Sequence, residues 1–233
     1  MGRLAVISGT GLRGSEYEES LAPVTIEGVT FLDAGAHLVL PRHGVVELRR
    51  PHEIDHRAHV RALQAASVDR VLGLSSVGSL RIDWAVGTNV CPDDFYAPQL
   101  TISMFDDGRS HGIPGFDRSW RARVLGAWRA RAASPLHDGG TYAHVPGPRF
   151  ETPAEVRALA HFADLVGMTV AAECILTREA GIAYTAVCTV DNLANGLAPA
   201  PLTIDEFRAG VAANRTRLLA DLAAVVPSLA EAS

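Results

Sequence analysis

"LVGMTVAAECILTREAGIAYTAVCTVDN", residues 165–192, changes its pattern three times. A short β-rich run, Leu165 to Val166, passes through Gly167-Met168-Thr169 into a helical pattern over 171–180. The stretch Ile182 to Val190 is then apolar without polar alternation. A strand that is apolar on both faces lies inside a sheet covered by helices, and such sheets are largely parallel or mixed.

The same grammar extends in both directions. Further short apolar runs occupy Leu4 to Ile7, His37 to Leu40, Val71 to Leu74 and Thr141 to Val145, and helical patterns are expected over about 54–67, 118–132, 153–163 and 204–225. The last opens with the capping box Thr203-Ile-Asp-Glu206 and repeats Phe207, Val211, Leu218 and Leu219 at helical spacing. The expected fold is α/β: a single domain over residues 1–233, with a central mixed, partly parallel twisted sheet flanked by helices. The stretch from Cys91 to Phe116, rich in Pro, Asp and Gly, is expected as a long functional loop.

"HVPGPRFETPAE", residues 144–155, is a strand that turns and becomes a helix. Thr152 caps, Pro153 suits the first turn and Glu155 completes a capping box. Such a turn needs only Gly, Pro and a cap, so Arg149, Phe150 and Glu151 call for another reason. Other strand ends are similarly polar and glycine-flanked: Ser8-Gly-Thr-Gly11, Pro41-Arg-His-Gly44, Ser75-Ser-Val-Gly78, Gly167-Met-Thr169 and Asp191-Asn192. In open α/β sheets ligands bind at those ends. Arg42, His43, Ser75, Ser76 and Thr169 together suit a phosphate: one guanidinium fork, one imidazole and several hydroxyls.

Composition narrows the classes. The chain has 233 residues, 48% hydrophobic, enough for a continuous core. A net charge of −5 with scattered arginines argues against nucleic acid as a partner. The sequence shows neither a membrane-length apolar run nor a signal peptide, so a cytoplasmic protein is expected. Cys91, Cys174 and Cys188 form no CxxC pair and are expected as reduced core residues. Every basic side chain apart from histidine is arginine. Without lysine there is no Schiff base, pyridoxal phosphate lysine or P-loop lysine, and anions fall to arginine, histidine, hydroxyls and backbone N–H groups.

Three familiar motifs are near misses. Gly9, Gly11 and Gly14 have the GxGxxG spacing, but Ser15 to Ser20 lacks a packed-helix pattern and no acidic strand end follows at the ribose distance. "HEIDH", residues 52–56, matches the zincin H-E-x-x-H, but Pro51 puts His52 at the very start of any helix and no third ligand stands out. "GLSSVGS" gives neither Ser75 nor Ser76 both glycines of a nucleophile elbow. No metal site is expected.

Taken in order, "ISGTGL", "LPRHG", "PHEIDHRAHVRAL", "LGLSSVGSL", "PGPRFET", "VGMT", "ECILTREAGIAY" and "TVDN" resemble the trimeric purine nucleoside phosphorylases, a family that includes the methylthioadenosine and methylthioinosine phosphorylases. The resemblance implies a nucleoside phosphorylase-like fold, a homotrimer, and cleavage of a purine nucleoside by inorganic phosphate as co-substrate, with no metal or other cofactor. By similarity, Thr10, Arg42, His43, Ser76 and Thr169 hold phosphate, and Ser75 and Met168 border the ribose. Phe150 lies against the purine, while Glu151 and Asn192 read its edge as the catalytic pair, with Asp191 beside them. His111 is the candidate to reach a neighbouring subunit's pocket, and Arg149 is expected to anchor the turn.

A carboxylate at 151 suits the N1–H of a 6-oxopurine and the Asn192 amide suits O6 or N7. Adenine-specific members carry aspartate at the place of Asn192, so inosine, guanosine or 5′-methylthioinosine is the expected substrate. The alternatives are a methylthioadenosine phosphorylase, a nucleoside hydrolase or a non-catalytic nucleoside-binding module. Glu47 stands where relatives commonly have histidine, and a carboxylate beside phosphate is repulsive. It either points away or weakens phosphate binding. His56 and Asp55 replace a common tyrosine and asparagine.

Overall fold

The computed structural model describes residues 2–231. In chain order the elements are β1 (Arg3–Ser8), α1 (Glu16–Glu19), β2 (Ala22–Ile26), β3 (Val29–Asp33), β4 (His37–Pro41), α2 (His56–Ala65), β5 (Val68–Ser79), β6 (Asn89–Cys91) and β7 (Asp94–Tyr96). They continue with α3 (Arg118–Arg131), β8 (Leu136–Asp138), β9 (Thr141–His144), α4 (Pro153–Leu159), β10 (Leu165–Gly167), α5 (Val170–Glu179), β11 (Ala183–Leu193) and α6 (Ile204–Glu231). One mixed sheet of 11 strands runs β2-β3-β4-β1-β5-β10-β9-β7, with β11 on β5 and then β6 and β8.

Each face of the sheet carries its own core. On one, Ala62 and Leu63 of α2 and Val170 and Cys174 of α5 pack on Ile7, Leu38, Val71 and Tyr184. On the other, Trp120, Val124 and Trp128 of α3 meet Leu218, Leu222 and Val225 of α6 over Leu4, Leu72 and Val187. The central strands are therefore apolar on both faces, as the runs in the sequence indicated. Each fully buried Val, Leu or Ile in them contributes about 1.5–3 kcal/mol. The indole N–H groups of Trp120 and Trp128 donate to Val71 O at 2.7 Å and Ser134 O at 2.8 Å, so these large side chains enter the core with their polar atoms paired. The three cysteines are free and buried.

A gap beside β5 positions the site. On one edge β5 pairs in parallel with β1 only as far as Gly73, opposite Ile7. The antiparallel contact with β10 begins at Gly78, opposite Val166. Leu74 to Val77 thus lack a strand on that edge while β11 continues along the other. Loops from several strands converge there, as they do at switch points of α/β sheets.

Several boundaries differ from expectation. Ser75 and Ser76 are interior residues of β5, which runs on to Ser79 because β11 pairs with it throughout. The helix at 153 ends at Leu159, whereas α6 continues through Pro227 to Glu231. Ser15 does start a helix, the single-turn α1, by accepting from Glu18 N–H. The 91–116 stretch contains β7 and a 3₁₀ turn, Gly108–His111, and is otherwise irregular.

Candidate active site

Around the gap lies a cavity of about 380 Å³. Thr10, Arg42, His43, Ser75, Ser76 and Thr169 line it, together with Met168, Phe150, Glu151 and Asn192. Ten of the twelve site candidates therefore share one cavity. Asp191 and His111 do not line it. Asp191 points the other way, where its carboxylate accepts from Asn214 Nδ2 of α6 at 2.7 Å. His111 sits on the exposed 3₁₀ turn with Nδ1 3.3 Å from Gly108 O.

The split between Asp191 and Asn192 has a local cause. Val190 is opposite Val77 and Asn192 opposite Gly78, so Asp191 is an extra residue in a β-bulge. Bulges re-aim side chains next to active sites. Here Asn192 faces the cavity, its Nδ2 donating to Leu193 O at 2.8 Å with a second N–H in reserve.

The anion end of the cavity is built on a buried ion pair that the sequence did not disclose. Arg42 is 1% exposed and forks onto Glu173 of α5, through Nε to Oε1 and through Nη2 to Oε2 at 2.9 Å. Arg42 Nη1 donates to Leu74 O at 2.7 Å on the unpaired edge of β5, and Tyr184 Oη donates to Glu173 Oε2 at 2.7 Å. Two glycines make room for this. A Cβ at Gly9 would lie 2.5 Å from Arg42 Nη1, and one at Gly73 would lie 2.2 Å from Tyr184 Oη. Burial alone would push the Glu173 carboxyl up, but the Arg42 guanidinium outweighs it and holds the carboxyl below its usual range. Burial works against the Arg42 charge too, and Glu173 more than restores it.

Thr169 is the N-cap of α5, yet its side chain makes no capping bond. Its hydroxyl remains available at a helix N-terminus, where backbone N–H groups and the helix dipole favour an anion. His43 Nδ1 lies 2.8 Å from Arg49 O, which requires a proton on Nδ1. Burial, then Arg42, pushes its pKa down. With its proton on Nδ1 and its charged form disfavoured, His43 presents Nε2 as an acceptor. Glu47 is exposed and does not line the cavity.

The other end is an aromatic slot. Phe150 meets Phe207 of α6 with ring centroids 5.8 Å apart. Glu151 is buried, which pushes its carboxyl up. Thr152 and Glu155 form the capping box that starts α4, and Arg149 forks onto Glu155 with two bonds of 2.8 Å, as an anchor of the turn should. Asn195 Nδ2 donates to Glu151 O at 2.8 Å, tying the turn to the end of β11. Phe207 and Asn195 were not recognised as site residues in the sequence. Phe207 fits the apolar spacing of α6 as well as any core residue does, and Asn195 gives no signal.

The other histidines explain themselves structurally. His52 is part of a separate 3₁₀ turn, Pro51–Glu53, whereas His56 begins α2 after its N-cap Asp55, so the two do not share a helix face. Among the described residues no three His, Cys, Asp or Glu side chains form a metal-ligand group. His56, His59 and His144 have pKa values pushed down to about 4, chiefly by burial. Unfolding restores them to about 6.5, so their neutral burial stabilises fully above that pH and the contribution disappears as pH falls toward 4. We expect the unfolding free energy to drop by about 2 kcal/mol or more between pH 7 and 4.5. Denaturant titrations at a series of pH values measure it, and a flat profile over that range contradicts neutral burial.

Residues 3–227 match the family model of the phosphorylase superfamily. The chain belongs to this superfamily. Within it, the chain is 33% identical over 202 residues to a probable 6-oxopurine nucleoside phosphorylase of Archaeoglobus fulgidus, covering 83% of each chain. It is 30% identical to an S-methyl-5'-thioadenosine phosphorylase of Thermococcus kodakarensis, covering 82% of this chain and 79% of that one. Its fold superimposes on that of an adenosine/methylthioadenosine phosphorylase mutant from Schistosoma mansoni, in complex with tubercidin, with a TM-score of 0.83 and 21% identity over 100% of this chain and 93% of that chain. This likeness agrees with the α/β architecture and mixed central sheet of the superfamily member described here.

Proposed function

We propose that the protein catalyses phosphorolysis of the N-glycosidic bond of a purine nucleoside, releasing the base and an α-ribose 1-phosphate. The observation that carries this reading is the union, in one cavity, of an anion-binding end with an aromatic slot flanked by Glu151 and Asn192. Its members named among the relatives include phosphorylases of 6-oxopurine nucleosides and of methylthioadenosine.

The chemistry follows from where charge develops. As the C1′–N9 bond breaks, its electron pair leaves with the purine and C1′ becomes cationic. A phosphate oxygen held by Thr10, Ser76, Thr169 and Arg42 forms the new C1′–O bond from the opposite face. Asn192 donates to the base as negative charge grows on it, so its hydrogen bond strengthens in the transition state. Glu151, made more basic by burial, accepts the N1–H of a 6-oxopurine. Phe150, backed by Phe207 in tilted contact 5.8 Å away, presents an apolar face to the ring. Inorganic phosphate is the co-substrate and no further cofactor enters.

The protein is further read as a cytoplasmic homotrimer, in which His111 of one subunit reaches the cavity of the next. Among the described residues no helix is long and apolar enough to cross a membrane.

Base release measured with and without phosphate tests the reading. Hypoxanthine is expected from inosine and 5′-methylthioinosine faster than adenine from adenosine and methylthioadenosine, and only when phosphate is present. Release that ignores phosphate indicates a hydrolase, faster adenine release reverses the base assignment, and binding without cleavage leaves only a nucleoside-binding module.

A further inference from the structure

The cavity wall contains more arginine than one phosphate engages. Besides Arg42, the side chains of Arg13, Arg49, Arg50 and Arg208 line it, against the single carboxylate Glu151. Arg42 is matched by Glu173, but Arg13, Arg49 and Arg50 form no ion pair among the described residues. Arg208 reaches only the solvated Asp205, at 3.6 Å with both side chains largely exposed, a contact that contributes little.

These arginines come from three separate segments of the chain. Arg13 follows the Thr10 loop, and Arg49 is joined through its carbonyl to His43 at 2.8 Å, so both stand near the phosphate end. Near the start of α6, Arg208 is the residue after Phe207, whose ring packs 5.8 Å from Phe150. A cavity of about 380 Å³ is several times larger than one phosphate ion. Unpaired like charges on one concave wall repel each other and attract anions, and guanidinium forks match carboxylate and phosphate oxygens.

Resting on the phosphorolysis reading, we propose that the nucleoside itself carries an anionic group at its 5′ end, a phosphate or a carboxylate, held by Arg208 with Arg50 while inorganic phosphate occupies its own place. The reaction balances as before: C1′–N9 breaks with its electrons on the purine, C1′–O forms to phosphate, and the product is a ribose 1-phosphate that retains its 5′ anion.

The test compares inosine, inosine 5′-monophosphate and inosine 5′-carboxylate at saturating phosphate. At least one anionic substrate is expected to show a kcat/KM about tenfold or more above that of inosine, with the gap closing as salt is raised. The Arg50→Ala, Arg208→Ala double variant is expected to reduce kcat/KM for the anionic substrate at least about tenfold more than for inosine. The two anionic substrates distinguish phosphate from carboxylate. Inosine cleaved as fast as either anion overturns the proposal, and so does a preference that vanishes once phosphate saturates, which would give all the arginines to the co-substrate. Calorimetric binding of the same three compounds decides the matter even if none is cleaved. Tighter binding of an anion without turnover supports this subsite and counts against phosphorolysis, whereas cleavage of inosine with no anion preference does the reverse.

Discussion

Glu173→Ala is expected to destabilise the protein by about 3–5 kcal/mol, the range for removing one partner of a buried ion pair. Arg42 would stay in the core with its fork facing an empty space, and Tyr184 would lose the acceptor it reaches at 2.7 Å. Typical domains have only about 5–15 kcal/mol in all, so the loss approaches the limit of folding. Urea titration of the variant measures it, and a cost below about 1 kcal/mol would falsify the claim that the pair is dry and intact. The sharper comparison is the double variant Arg42→Met, Glu173→Leu. It removes both charges, so it is expected to be more stable than Glu173→Ala while requiring far more phosphate for the same rate of base release. The Glu173 carboxyl is held below its usual value, so its contribution is present above about pH 4.5 and vanishes as pH falls through the folded value. Acid therefore removes the histidine contribution first and this one afterwards.

Asn192→Ala is expected to lower kcat on the order of 10²-fold and to change KM little, because the amide's contribution grows as the base departs. The side chain already donates to Leu193 O at 2.8 Å, which fixes its rotamer before substrate arrives. Steady-state rates on inosine with phosphate give both constants. A rise in KM at unchanged kcat would show that Asn192 only binds, and no change in either would remove it from the reaction. Asn192→Asp provides a control on specificity, and is expected to shift the ratio of inosine to adenosine cleavage toward adenosine.

The sheet was legible in the sequence because its central strands are buried on both faces and so appear as unbroken apolar runs. The β2–β3 hairpin was not. Its turn is Glu27-Gly28, both with positive φ, and its outer strand is half exposed, so neither a strong turn signal nor a clean alternation marks it. Strands of three residues such as β6, β7 and β8 are too short for any period to register.

In the site, the residues at strand ends were legible as a set because each breaks an apolar run with a hydroxyl, amide or charge. Glu173 was lost inside a helical pattern, since its partner Arg42 is 131 residues away. The available signal was an isolated acid flanked by Val170, Ala171, Ala172 and Cys174, which are all buried. Burial of a lone carboxylate implies a cation somewhere in the fold. The Asp191 bulge was invisible because register is a property of two strands and the sequence presents them one at a time.

The free cysteines have a practical consequence. All three are completely buried in the core, and burial raises each thiol away from the reactive thiolate, with Cys174 at about 12. A brief pulse of alkylating reagent thus labels only chains that have opened, and the mass gained in the pulse counts them directly. The native protein carries its own gauge of conformational opening, usable during turnover without an introduced dye.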